Sequence, residues 1–291
     1  LLAAIIFRTI SLPGAGEGLK FLLAPDFSKV TGQTFLAALG QAFFSLSLGM
    51  GCMITYGSYL NKEEKLPANA LIVTTMDTSV ALLAAVAIFP ALFAFGIEPT
   101  AGPGLVFIVL PQVFAQMGGV GPIFSALFFV LLFIAALTSS VSLLEVVVAY
   151  LIDQHKMARK KAVYITSAIM AVMCMLSSLS MGVMSGFKIF GVGFFDFFDI
   201  LTDKIFLAVG GGLLAICVGF FMKKEDLKDE LTNGGTVPFP AFELWYNLTK
   251  YVVPVIIAVI AFSGIMAIQQ KSLMIFGLVI IAVLAAFSKK L

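Results

Sequence analysis

Apolar residues run along this chain in stretches long enough to cross a bilayer, which takes about 20 residues, and short polar clusters part them. The first full span is expected from about Phe35 to Leu60, closed by the charged turn Asn61–Lys65. Further spans follow at about Ala68–Phe95, Ile123–Ile152, Ala162–Met181, Phe195–Met222, Leu244–Ile268 and Leu273–Phe287. Leu1–Phe7 is too short to span and reads as the end of a helix that begins earlier. Between it and the first span lies a long polar loop, Arg8–Thr34, with a short helix expected near Glu17–Leu23. Thr100–Val120 has glycines near both ends and an apolar centre, so a re-entrant or capping hairpin is expected there. Residues 182–194 form an aromatic, glycine-rich loop, and Lys223–Gly235 is expected to be a solvated loop.

One span breaks its own pattern. Gly40–Tyr59 reads GQAFFSLSLGMGCMITYGSY, with Gly49 and Gly51 flanking Met50 and two serines just before them. Each glycine costs a helix about 1 kcal/mol relative to alanine. The spacing admits two readings. Either the helix breaks near Leu46–Gly49 and its freed main-chain groups are covered by protein, water or solute, or the glycines form a close-packing seam between unbroken helices.

Composition places the pattern in a membrane. The chain of 291 residues is 60% hydrophobic and 12% charged, against about 25% charged in a soluble domain. Mean hydropathy is +1.08. The fold class is therefore all-α, a polytopic membrane helix bundle. The net charge of +2 does not point to nucleic acid, because the basic residues sit in short loops. Those loops set orientation. Lys62, Lys65, Lys156, Arg159, Lys160, Lys161, Lys223, Lys224, Lys228, Lys250, Lys289 and Lys290 fall on one side, which is expected to be cytoplasmic. Cys52, Cys174 and Cys217 lie in apolar runs without paired spacing and are expected to be buried thiols. His155, the single histidine, is expected to be solvated in a basic loop. No nucleophile–base set, phosphate loop or metal-ligand spacing suggests an enzyme.

Three groups within the spans need a reason. Asp77 is a carboxylate some two turns into its helix, where charge is costly and a partner in the bundle interior is expected. It is either a protonated, hydrogen-bonded group near the interface or a cation or proton site. Ala135, Thr138 and Ser139 share one helical face. Hydroxyls and carbonyls are hard ligands that suit a small cation, though Ser and Thr also bond back to the preceding turn. Glu145 is expected in an intracellular gate network with Tyr56 or Tyr59. Asp153 lies nearer the interface.

The segments Gly40–Tyr59, DTSVALLAAVAIFP (Asp77–Pro90), GPGLVFIVLPQVF (Gly102–Phe114) and ALTSSVSLLEVVVAYLID (Ala136–Asp153) resemble the sodium:neurotransmitter symporter family, bacterial branch. The resemblance implies the second inverted repeat of the LeuT-type fold plus C-terminal helices, the fold that serves as a standard example of broken transporter helices. On that reading, residues 1–291 are a single transmembrane domain, from about the end of the fifth helix through the twelfth. The first repeat, the missing N-terminal partner, would be absent. The resemblance also implies two sodium sites, an amino-acid substrate and a multi-pass location in the cell membrane.

Position by position, it implies that Phe44, Ser45, Ser47 and Met50 form the unwound substrate segment. Ser45 and Asp77 would ligate the first sodium, and Ala135, Thr138 and Ser139 the second. Ser139 and Leu143 would also belong to the substrate pocket. Gln41 and Asp199 would form the extracellular gate, and Tyr59 and Asp153 the intracellular one. Two departures carry expectations of their own. A carboxylate at Asp77 supplies internally the negative charge for which eukaryotic members use chloride. Met50, unbranched and adaptable, stands where some relatives have Phe, so a hydrophobic or aromatic amino acid is expected. The expected function is sodium-coupled symport by alternating access. The alternative is a non-transporting scaffold or channel half that needs a partner chain.

Overall fold

The computed structural model describes residues 2–98, 102 and 104–288, with side chains placed as far as Ile281. Leu1, Thr100, Pro103, Lys289 and Lys290 lie outside the described residues. The chain is helical almost throughout. Helices α1 (Leu2–Ile10) and α2 (Ala15–Leu23) precede the broken pair α3 (Gly32–Ser45) and α4 (Cys52–Gly57). Then come α5 (Leu66–Ala94), α6 (Leu110–Gln116), α7 (Gly121–His155) and α8 (Arg159–Ser180). The fifth expected span is one helical rod built from α9 (Phe194–Ile200) and α10 (Leu207–Ile216), with π-helical turns at Leu201–Phe206 and Cys217–Phe221. After α11 (Lys224–Thr232), the next rod joins α12 (Phe242–Asn247) to α13 (Val253–Met266) through a third π-helical turn, Leu248–Val252. Helix α14 covers Lys271–Ser288.

Among the described residues, five helices are long and apolar enough to cross a membrane: 66–94, 118–155, 159–180, 194–221 and 242–266. The first expected span is not among them because it is divided into pieces of 14 and 6 residues. The expected hairpin of 100–120 contains α6, preceded by a π-helical turn at Leu105–Val109. Two expectations are corrected. The segment after Lys223 folds as a helix rather than a loop. Its Glu225 and Asp226 sit in the first turn, where the helix dipole favours them, Leu227 is buried, and Asn233 ends it in the left-handed conformation at φ 48°. Of the three cysteines only Cys52 is buried, while Cys174 and Cys217 are exposed on their helices. Apolar surroundings in a membrane helix include lipid-facing positions, so hydropathy alone does not place a thiol inside.

By internal packing the chain divides into two units, one of residues up to Thr31 with Leu71–Val141, the other of Gly32–Ala70 with residues from Ser142 onward. In the first, Ile5, Leu12 and Ala15 pack with Ala87, Ala91 and Leu92 of α5 and with Val113, Phe114 and Phe128. Helix α2 reaches α5 through Gly18, where a Cβ would stand 2.7 Å from the Pro90 Cα.

In the second unit α10 and α13 pack along their length, with Ala208, Ala215 and Ile257 buried between them and Phe43 of α3 against them. The tightest approach involves the break itself. Gly49, at φ 81°, lies so close to α10 that a Cβ would run into the Leu207 carbonyl oxygen and stand 2.6 Å from the Gly211 amide nitrogen. The glycine is needed twice, once for its backbone conformation and once for space. Gly49→Ala is therefore expected to cost about 2–4 kcal/mol from left-handed strain and overpacking together, read as a lower unfolding temperature in detergent. Unchanged stability would show that the two backbones are not held this close.

Candidate ion and substrate site

The helix of α3 gives way where the serines and glycines predict. Its last bonds run from the Leu46 amide to Ala42 (3.0 Å), Ser47 to Phe44 (3.1 Å) and Leu48 to Phe43 (3.0 Å). The ladder resumes with the Thr55 amide donating to the Gly51 carbonyl at 3.0 Å. Between them Ser47, Gly49 and Gly51 take positive φ values of 53°, 81° and 83°. Ser47 bears the cost, since a left-handed conformation is rare for a residue with a Cβ. Among the described residues, the amides of Gly49, Met50 and Gly51 find no main-chain partner. The stretch from Ser45 to Gly51 is half-buried. The first reading of the glycines holds and the seam between unbroken helices does not, although the broken segment also packs closely against α10.

The hydroxyl cluster lies in the other unit. Thr138 donates to the Ala135 carbonyl at 2.9 Å, and Ser140 to Ala136 at 2.8 Å. Ala135, Thr138 and Ser139 are exposed and share a helix face, so one carbonyl and two hydroxyl oxygens gather there. Asp77, half-buried on α5, sits within a polar run that sequence reasoning passed over. Thr75, Thr78 and Ser79 bond back to Leu71, Thr74 and Thr75 at 2.8, 2.9 and 2.7 Å. The run TTMDTS was the available signal. Among the described residues no group of three or more His, Cys, Asp or Glu gathers, so cation ligation here would fall to hydroxyl and carbonyl oxygens with Asp77.

A second set of contacts fastens α4 to the C-terminal part of α7. The Tyr59 hydroxyl donates to Glu145 Oε1 at 2.7 Å. Arg159 grips the same carboxylate with two bonds, 2.9 and 2.8 Å. Tyr56 hydrogen-bonds Ser142 through their hydroxyls. Gly51 keeps the approach close, since a Cβ there would stand 2.9 Å from Val146 Cγ1. Sequence reasoning placed Glu145 beside Tyr59 but missed Arg159 and Ser142. Asp153 is exposed and makes no ion pair among the described residues. His155 lies edge-on to Tyr150, with ring centres 5.6 Å apart.

Gln41 lines a cavity of about 370 Å³ between α3, the Leu201–Phe206 turn and α13, with the Asp203–Lys204 ion pair (2.6 Å) in its wall. Asp199 lines a separate opening with Asp196 and Lys204. Phe44 and Leu143 are largely exposed in the same unit, and Met50 is half-buried. Outside the spans, two groups are shifted. The Ser28 hydroxyl and amide hold Asp26 below the usual carboxylate range, and Glu243 at 2.7 Å pushes the Lys224 ammonium up.

Comparison with known proteins adds the following. The sequence profile of the sodium:neurotransmitter symporter family matches residues 1–284. An uncharacterized sodium-dependent transporter of Haemophilus influenzae is 44% identical over 91% of this chain and 57% of its own length. The uncharacterized sodium-dependent transporter YhdH of Bacillus subtilis is 38% identical over 89% and 57%. The crystal structure of MhsT in complex with L-phenylalanine superposes with a TM-score of 0.79 at 41% identity, covering 90% of this chain and 59% of that one. The chain thus spans little more than half the length of the relatives it matches.

The contacts on α4 make a testable arrangement. Cys52, at its first turn, is 3% exposed. With Cys174 and Cys217 replaced by serine, Glu145→Gln is expected to speed alkylation of Cys52 by maleimide several-fold, because the Tyr59 hydroxyl just after α4 loses its charged acceptor. An unchanged labelling rate would mean that these contacts do not hold α4.

Proposed function

The chain belongs to the sodium:neurotransmitter symporter family, and on that premise we propose that it serves sodium-coupled uptake of a hydrophobic or aromatic amino acid by alternating access. The observation that carries this reading is the break between α3 and α4. A membrane helix leaves main-chain amides and carbonyls without partners only where they line a cavity or grip a solute. The amides of Gly49, Met50 and Gly51, in a half-buried stretch with two left-handed glycines, meet that description. On this reading Phe44, Ser45, Ser47 and Met50 contact the substrate, with Ser139 and Leu143 completing its pocket. Helix ends favour the substrate carboxylate, and freed carbonyls favour sodium.

Two sodium ions travel with the substrate in this proposal. Ser45 and Asp77 contribute to one site, and Ala135, Thr138 and Ser139 to the other. The oxygens gathered at Ala135–Ser139 suit a hard monovalent cation. Asp77 supplies the negative charge that makes chloride unnecessary. Gln41 and Asp199 close the outer side, and Tyr59 and Asp153 close the inner side together with Glu145 and Arg159. Sodium and substrate each raise the other's affinity, as linkage requires. The aromatic preference is supported by Met50 and by the phenylalanine held in the MhsT crystal.

Uptake by the full-length gene product in proteoliposomes tests the proposal. L-phenylalanine is expected to accumulate only with an inward sodium gradient, and replacing chloride with gluconate is expected to change nothing. Leucine and tryptophan should compete better than alanine and glycine. Thr138→Val, which keeps the shape and loses the oxygen, should raise the sodium requirement about tenfold. Sodium-independent accumulation would refute the reading, and a steep chloride dependence would remove the role given to Asp77.

A further inference from the structure

Beyond α10, the Cys217–Phe221 and Leu248–Val252 π-helical turns pack against each other. Such turns are rare and cluster at functional sites. Gly219 lets them meet, since a Cβ there would stand 2.8 Å from the Lys250 Cα. The Tyr246 hydroxyl donates to the Gly219 carbonyl at 3.3 Å and locks the junction.

Lys250 emerges from this junction into a cage of rings. Its ammonium stands 5.0 Å from the centre of Phe220, 5.5 Å from Tyr246 and 5.6 Å from Tyr251, and 3.5 Å from the Tyr246 hydroxyl. A second cation near Tyr246 is Lys224, 5.4 Å from its centre. Lys224 is already neutralised by Glu243 at 2.7 Å. Lys250 has no carboxylate within ion-pair distance among the described residues. The cluster therefore holds two ammonium groups and one carboxylate. Ring faces attract a cation but cancel none of its charge. The neighbouring Phe220 and Tyr251 are mostly exposed at the edge of the two spans.

We propose that the ring-caged Lys250, at the junction of the two π-helical turns, binds the phosphate of an anionic phospholipid headgroup. It lies on the lysine-rich side of the chain, which the charge distribution assigns to the cytoplasm. The cytoplasmic leaflet is anionic, and basic pockets between membrane helices bind such headgroups. A half-buried lysine with one uncompensated charge and an apolar rim matches a molecule that is charged at one end and greasy at the other.

The chain's single tryptophan, Trp245, sits beside Tyr246 and provides the probe. The full-length protein is placed in mixed micelles containing dibrominated phosphatidylglycerol or dibrominated phosphatidylcholine, and the fluorescence lost on Trp245→Phe isolates the Trp245 signal. The anionic lipid is expected to quench at about fivefold lower mole fraction, the effect of one lysine at a charged surface. Lys250→Gln should abolish that preference, while Lys250→Arg and Lys228→Gln, the latter an exposed lysine of α11, should keep it. Excess inorganic phosphate should not reverse the quenching. Equal quenching by both lipids, a preference that survives Lys250→Gln, or an equal loss with Lys228→Gln would overturn the proposal. Reversal by inorganic phosphate would overturn the lipid as the ligand.

Discussion

A peptide group cannot shed its need for a hydrogen bond, and hydrocarbon offers none. Almost all of this chain meets that constraint with continuous helices. The stretch from Leu46 to Gly51 does not, and the structure invests in keeping it irregular. Ser47 is held left-handed against its own preference, and two glycines take conformations that side chains avoid. Gly49 presses against Gly210 and Gly211 of α10, so the irregular segment rests on a helix with no side chains in the way. Strain of this kind persists only where surrounding packing over-determines it.

Around that centre the second unit fixes each side of the break differently. Phe43 at the end of α3 fills the space that Gly211 leaves open. Helix α4 is only six residues long and has little stability of its own. It depends on Tyr56, Tyr59 and the carboxylate of Glu145 for its position. One half is thus held by packing and the other by polar contacts that can be exchanged for water. On the proposed transport function this asymmetry would have a use, because the half held by reversible ties is the one free to shift. Solute and ion bound at the break would then add the contacts that polar ties alone do not supply.

Much of this was legible in the sequence because hydropathy and glycine placement report the strongest constraints. The spans follow from apolar length, and the interruption follows from SLSLGMG. What escaped depends on distances the sequence does not carry. Arg159 meets Glu145 only because α8 starts just after the Met157 turn, which brings a guanidinium to a carboxylate fourteen residues earlier. Helix α11 looks like a loop in sequence because its charge masks strong helix formers and a single buried Leu227. Cys174 and Cys217 are exposed although their sequence neighbours are apolar, because an exposed and a core position on a membrane helix look alike in composition. The π-helical turns that set the Lys250 cage leave no recognised signature in the residues.

The most direct measurement is amide hydrogen exchange across Leu46–Gly51 in the full-length protein. With potassium the amides of Gly49, Met50 and Gly51 should exchange fast, as groups without a main-chain partner do. Sodium together with L-phenylalanine should slow them while leaving the ladder of α10 unchanged. Slow exchange in potassium, or the same rate in both conditions, would contradict the claim that this stretch of main chain is kept open to hold a solute and an ion.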